Sequence, residues 1–196
     1  MVRPVPCSSA EAIQRAVLLV GAKEPYILGT GDYRPGVEDL PWTRNAKGLG
    51  SDCWGYAGAW CYKLPRHRPG FNKQPKATVA DDINTDSAIE QAEHAGATDR
   101  LFTVVDRPAL GDLLVYPSIR GPDGKRLRIG HVGIIVKLCA EWDPEAPQYG
   151  ELEVVQCQAS RKPAVMRGPG VGWLFRDKFK GLRDDAWRTR ILRVVT

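Results

Sequence analysis

Apolar side chains return at helical spacing near the start of the chain (Ile13, Ala16, Val17 and Val20), framed by Ser8, Glu11 and Gly21. Ser8 with Glu11 three residues on forms a capping box, and Gly21 supplies the stop, so the pattern predicts a first helix. A second helix-like stretch runs from residue 53 to about 62 and is stopped by Pro65; a third, 84–94, ends at Gly96. Beyond residue 100 the period changes. Residues 102–105, 112–116, 131–138, 152–158 and 191–195 are short β-branched or apolar runs bounded by Gly, Pro and Asp, which read as strands. Helices first and an antiparallel sheet afterwards is the α+β pattern.

The segments 25–51 and 65–76 are rich in Pro and Gly. They read as loops around one core, because no repeat, low-complexity tract or composition break asks for a second domain. A single domain over residues 1–196 is expected, with loop insertions near 65–80, 118–129 and 140–150 that would wall or lid a cleft. With 43% hydrophobic and 26% charged residues the chain has the composition of a globular protein. No apolar run approaches the ~18 residues that cross a bilayer, so no stable membrane association is expected. Residues 1–7 lack the features of a signal peptide, which predicts synthesis in the cytoplasm.

The five cysteines (7, 53, 61, 139 and 157) are odd in number and lack C-x-x-C spacing, which favours reduced thiols over a disulfide framework or structural zinc. No metal or cofactor is expected. The net charge of +5 and pI near 9.0 suit an anionic partner such as an acidic polymer, but the excess is spread over 120–128, 161–167 and 176–193. Each cluster alone reads as solvated surface.

Within this frame Cys53 stands out. It sits in Gly50-Ser51-Asp52-Cys53-Trp54-Gly55-Tyr56, where a glycine-punctuated loop becomes helical. A thiol at a helix start faces unpaired N–H groups and the positive end of the dipole, which favour thiolate. Of three histidines, His67 reads as a solvated loop residue and His94 is accounted for by a helix C-terminus. His131 opens a buried strand, Gly130-His131-Val132-Gly133-Ile134-Ile135-Val136. In that strand Val132, Ile134, Val136 and Leu138 share one face, leaving His131, Gly133 and Ile135 on the other. If it pairs antiparallel with 152–158 through a loop centred near 144–145, residue 158 lies opposite 131. Gln158 is then the expected neighbour of His131, with Gln156 in its place if the register shifts. A glutamine carbonyl accepting from Nδ1–H would orient the ring and leave Nε2 for the thiol.

These residues resemble the NlpC/P60 peptidases, papain-like cysteine hydrolases of bacterial cell-wall peptides. Pro25-Tyr26-Ile27-Leu28-Gly29-Thr30-Gly31 is similar to their P-Y-x-x-G-G segment, and Asp52-Cys53-Trp54-Gly55-Tyr56 to their D-C-S-G-F motif. Residues 109–116 resemble the P-G-D-L-V-F-F strand, 130–136 the G-H-V-G-I-Y-I strand, and Gln158-Ala159-Ser160 falls where H-A-S is usual. The order matches over most of residues 8–160.

The resemblance implies a papain-like fold in which a helical half packs on an antiparallel sheet. Cys53 would be the nucleophile, His131 the general base and acid, and Gln158 the orienting third residue. Tyr26 and Asp52 would line the site, Asp52 holding a substrate amine, and the Cys53 N–H would serve as oxyanion donor. Trp54 replaces the usual small residue and would narrow the cleft or stack on substrate. The implied substrate is the peptidoglycan stem peptide, cut through an acyl-enzyme by a monomer that binds no nucleic acid and acts after release or delivery, as a phage endolysin or a delivered toxin does. Two rivals remain: an acyltransferase or protein amidase using the same dyad, and a basic non-catalytic wall- or nucleic-acid-binding module in which Cys53 is structural.

Overall fold

The computed structural model describes residues 6–31, 41–64, 83–94, 100–138, 152–159, 163–169 and 189–195. It is a mixed α+β structure. Helix α1 spans Ser9–Leu18, and the Ser8 hydroxyl accepts from the Glu11 N–H at 3.2 Å, as the capping box predicts. Its buried face is Ala12 and Ala16, whereas Val17, Leu18 and Val20 are exposed, so the helix is turned from the orientation its apolar residues suggested. Small residues there let the helix lie close to its neighbour. Gly21, at φ 85°, ends the segment in a conformation that suits glycine.

The stretch predicted as helix from residue 53 is helical, with a π-helix over Gly55–Cys61. All seven of its residues are buried. Helix α1 packs along it: the Tyr56 hydroxyl donates to Ala16 O, and Arg15 lies 4.5 Å over the Trp60 ring. Helix α2 spans Thr85–His94, capped by Asn84, whose side-chain oxygen accepts from Asp86 N–H at 2.9 Å and Ser87 N–H at 3.1 Å.

Ten strands are described: β1 (Thr43–Asn45), β2 (Gly48–Gly50), β3 (Phe102–Val104), β4 (Leu113–Tyr116), β5 (Ile119–Arg120), β6 (Arg126–Arg128), β7 (His131–Lys137), β8 (Glu153–Cys157), β9 (Val165–Pro169) and β10 (Arg190–Val194). Six form one antiparallel sheet in the order β3-β10-β4-β7-β8-β9, while β1-β2 and β5-β6 form separate hairpins. Five of the six match the predicted runs within a residue or two. The sixth, β9, mixes Val and Met with Arg, Gly and Pro and carries no periodic signal.

Both sheet faces are buried. Val132, Ile134, Val155, Cys157, Leu113 and Val115 face the helices, and Leu114, Ile135, Leu152, Val154 and Ile191 form a second cluster behind. The β4 entrance is tied down at Gly111-Asp112. Gly111 has φ 90°, and a side chain there would meet Ser9 Cβ at 2.6 Å and the Tyr62 hydroxyl at 3.0 Å. The Tyr62 hydroxyl donates to Gly111 O, so the end of the Cys53 helix is fixed to the start of β4. Asp112, almost fully buried, accepts from Arg193 Nε and Nη2, each at 2.9 Å, and from Ala109 N–H at 2.7 Å.

Of the expected insertions, 118–129 contains the β5-β6 hairpin. The other two, 65–80 and 140–150, lie outside the described residues, as do His67 and Cys139. Among the described residues no helix is long and apolar enough to cross a membrane.

Candidate active site

Asp52 builds the local frame around Cys53. Its Oδ1 accepts from Gly55 N–H and its Oδ2 from Gly29 N–H, both at 2.8 Å, while its own N–H donates to Thr30 O at 3.0 Å. One carboxylate therefore caps the helix and holds the 25–31 segment beside it. Glycine is required at this approach: a side chain on Gly31 would stand 2.1 Å from Ser51 Oγ and 2.9 Å from the Gly55 backbone. Tyr26 bridges to Ser51 in parallel, which brings its phenol to the helix start. The expected substrate-amine role for Asp52 meets a carboxylate that is buried and already engaged by backbone donors at both oxygens.

Cys53 itself is 4% exposed. Its Sγ lies 3.7 Å from Gly130 O, so the thiol sits against the residue that precedes His131. Tyr26 lies close enough to Cys53 for the two side chains to interact. Its phenol is held protonated well above the ordinary range, first by burial and then by the negative charges available at Cys53 and Asp52. Cys157, without a role in the sequence reading, donates to Ser51 O at 3.4 Å. Its thiol is also pushed up, by burial and then by the Cys53 and Asp52 charges.

His131 is 6% exposed, and its Nε2 lies 2.8 Å from Gln156 Oε1. A carbonyl oxygen can only accept, so Nε2 carries the proton and Nδ1 the lone pair. This corrects two expectations. The ring is oriented through Nε2 rather than Nδ1, and the glutamine is Gln156 rather than Gln158. The expected register is nonetheless present: Gly133 pairs with Gln156, Ile134 with Val155, and Ile135 with Val154. Gln156 therefore reaches His131 along a diagonal, over Gly133, where no side chain intervenes. Gln158 turns instead to β9, its Nε2 donating to Met166 Sδ at 2.7 Å. Its Oε1 is buried with no hydrogen-bond partner among the described residues.

Burial pushes the imidazole down from 6.5 to about 4, against the opposing pull of the Gln156 hydrogen bond and the Asp52 charge. The resting ring is therefore neutral at pH 7.

Trp54 is the third correction. It is 3% exposed, packs edge-on to Phe102 with centroids 6.1 Å apart, and lies directly over Gly58. Consecutive helical residues point about 100° apart. With Cys53 aimed at the sheet end, Trp54 enters the core and offers no face to a substrate.

Tyr116 was missed by sequence reasoning as a site residue. It ends β4 directly opposite His131, with the two rings 5.7 Å apart, and the Arg128 guanidinium lies 4.3 Å from its ring centre. The pairing of the 109–116 and 130–136 segments was the signal that could have revealed it. Among the described residues no group of three or more His, Cys, Asp or Glu side chains could hold a metal ion.

A scan against protein-family models and searches among curated proteins and solved structures find no match to this chain.

Proposed function

We propose that this protein is a papain-like cysteine peptidase or amidase of NlpC/P60 type, acting on bacterial peptidoglycan stem peptides. The observation that carries the reading is the thiol at a capped helix start, lying 3.7 Å from Gly130 O, one residue from an imidazole fixed by Gln156. A neutral ring with its lone pair on Nδ1 is the form a general base requires.

In the proposed reaction Nδ1 takes the Cys53 proton as the sulfur bonds to the scissile carbonyl carbon. Negative charge then develops on the carbonyl oxygen near the helix start, where the dipole and the Cys53 N–H stabilise it. Collapse breaks the C–N bond, and the imidazolium returns its proton to the leaving amine. Water, activated by the same ring, hydrolyses the thioester and regenerates the thiol. Gln156 keeps Nδ1 aimed throughout and adds no charge.

The deep burial of both groups favours one second reading, acyl transfer to an acceptor other than water by the same pair. Digestion of purified peptidoglycan followed by mass spectrometry separates the two: new free peptide termini support hydrolysis, and products carrying an acyl acceptor support transfer. Cys53→Ala should retain the fold and lose either activity entirely; undiminished lysis by a folded Cys53→Ala protein would sink both.

A further inference from the structure

The β5-β6 hairpin ends at the site. Arg128, the last residue of β6, lays its guanidinium 4.3 Å over the Tyr116 ring, and that ring lies 5.7 Å from the His131 ring. Arg128 Nη2 donates to Pro117 O at 3.4 Å, within the turn that leaves β4.

The backbone on either side is pinned to the start of α2. Ser118 N–H donates to Asp86 Oδ1 at 2.6 Å, and the Ser118 hydroxyl donates to Asp86 Oδ2. Two residues beyond Arg128, Gly130 fits under Thr85 so closely that a side chain would stand 2.2 Å from Thr85 Oγ1. Arg128 is therefore held on a rigid support, which is what a recognition group requires.

The neighbouring charges point the same way. Lys125 is paired with Asp123 at 3.3 Å at the hairpin tip, and Arg120 Nη1 donates to Gly124 O. The acidic group at the site, Asp52, is engaged by two backbone amides. Tyr116 responds to both ends of the row: after burial, the Cys53 charge raises its pKa and the Arg128 charge lowers it. Cys53 and Arg128 thus lie within electrostatic reach of one phenol.

From this arrangement we infer that Arg128 is a specificity-determining residue, which selects substrates carrying a free carboxylate beside the scissile amide. The inference rests on Cys53 being the nucleophile. A guanidinium stacked on an aromatic face keeps its N–H fork in the ring plane, which suits bidentate pairing with a planar carboxylate. Amidation of that carboxylate would remove the attraction.

The test uses two small thiol reagents that differ in charge, iodoacetate and iodoacetamide, with Cys53 modification followed by peptide mapping of the full chain. In the wild type the iodoacetate-to-iodoacetamide rate ratio should exceed that of free cysteine at the same pH. Arg128→Gln should lower the ratio about tenfold, the scale of one screened charge contact. Arg128→Lys, which keeps the charge and loses the fork, should retain most of it. An equal ratio in wild type and Arg128→Gln would overturn the inference and leave Arg128 as a clasp for the hairpin. Should Arg128→Gln fail to fold, the wild type decides: the ratio must fall several-fold as salt is raised, and a salt-independent ratio overturns the proposal. Failure of both reagents to modify Cys53 ahead of the other cysteines would instead refute the nucleophile and the inference with it.

Discussion

Trp54 and Gly58 form a pair whose coupling can be measured. Trp54 is buried against Phe102, and a Cβ on Gly58 would stand 2.5, 2.6 and 2.8 Å from three atoms of the indole. Those contacts are with a rigid ring, so relief requires the ring or the helix to move. Removing the indole with Trp54→Ala should cost about 3–5 kcal/mol, the range for a large aromatic truncated in a packed core. At this chain length that is a fall in Tm of roughly 10 °C.

Gly58→Ala alone should gain about 0.5–1 kcal/mol of helix propensity and lose about 1–3 kcal/mol to overpacking, a net destabilisation. In the Trp54→Ala background the clash is gone and the helical gain remains, so the same change becomes stabilising. The coupling energy is therefore about 1–3 kcal/mol. Guanidinium unfolding of wild type, both single variants and the double variant, followed by far-UV circular dichroism, closes the cycle. Additivity within about 0.5 kcal/mol would refute the contact. A Trp54→Ala variant of near wild-type stability but raised KM would restore the indole to the substrate side.

Gln156→Leu should reduce kcat about 10–100-fold by releasing the imidazole from its orientation, whereas Gln158→Leu, which leaves the His131 contact intact, should reduce it far less; steady-state kinetics on a peptide substrate decides. Because the folded His131 pKa lies near 4, below its ordinary 6.5, its contribution to stability is present above pH 6.5 and lost as pH falls toward 4. That loss amounts to about 3 kcal/mol. Urea titrations from pH 7 to 4 should show it in wild type and not in His131→Gln, and parallel curves would contradict it. Arg193→Gln leaves the buried Asp112 carboxylate without its bidentate partner and should cost about 1–2 kcal/mol, reduced by the half-exposure of Arg193; thermal denaturation measures it.

Much of the scaffold was legible because the signals were local. Ser8 and Glu11 fixed a helix start, the 131–138 alternation fixed a strand, and the chain length between 138 and 152 set the register. What failed needed side-chain direction in three dimensions. The register put residue 158 opposite 131, yet the glycine at 133 let Gln156 lean across the diagonal. Trp54 looked exposed to substrate because it adjoins Cys53 in sequence, whereas a rotation of about 100° sends it into the core. Strand β9 and the β1-β2 hairpin carry too few alternating residues to be separated from loop by pattern. Tyr116 comes beside His131 through the pairing of the 109–116 and 130–136 strands, whereas the stacking of Arg128 on Tyr116 is revealed by no spacing within the sequence.

Strand β4 also acts as a ruler. Its entrance takes the Tyr62 hydroxyl from the end of the Cys53 helix at Gly111, and its last residue, Tyr116, lies on the His131 ring. Four extended residues therefore gauge the separation between one end of the helix and the imidazole. Inserting or deleting a single residue there would shift the gauge by about 3.3 Å and turn Tyr116 to the opposite sheet face. The β5-β6 turn carries no such calibration. Length variation among related chains should accumulate at residues 121–125 and be absent from 111–116.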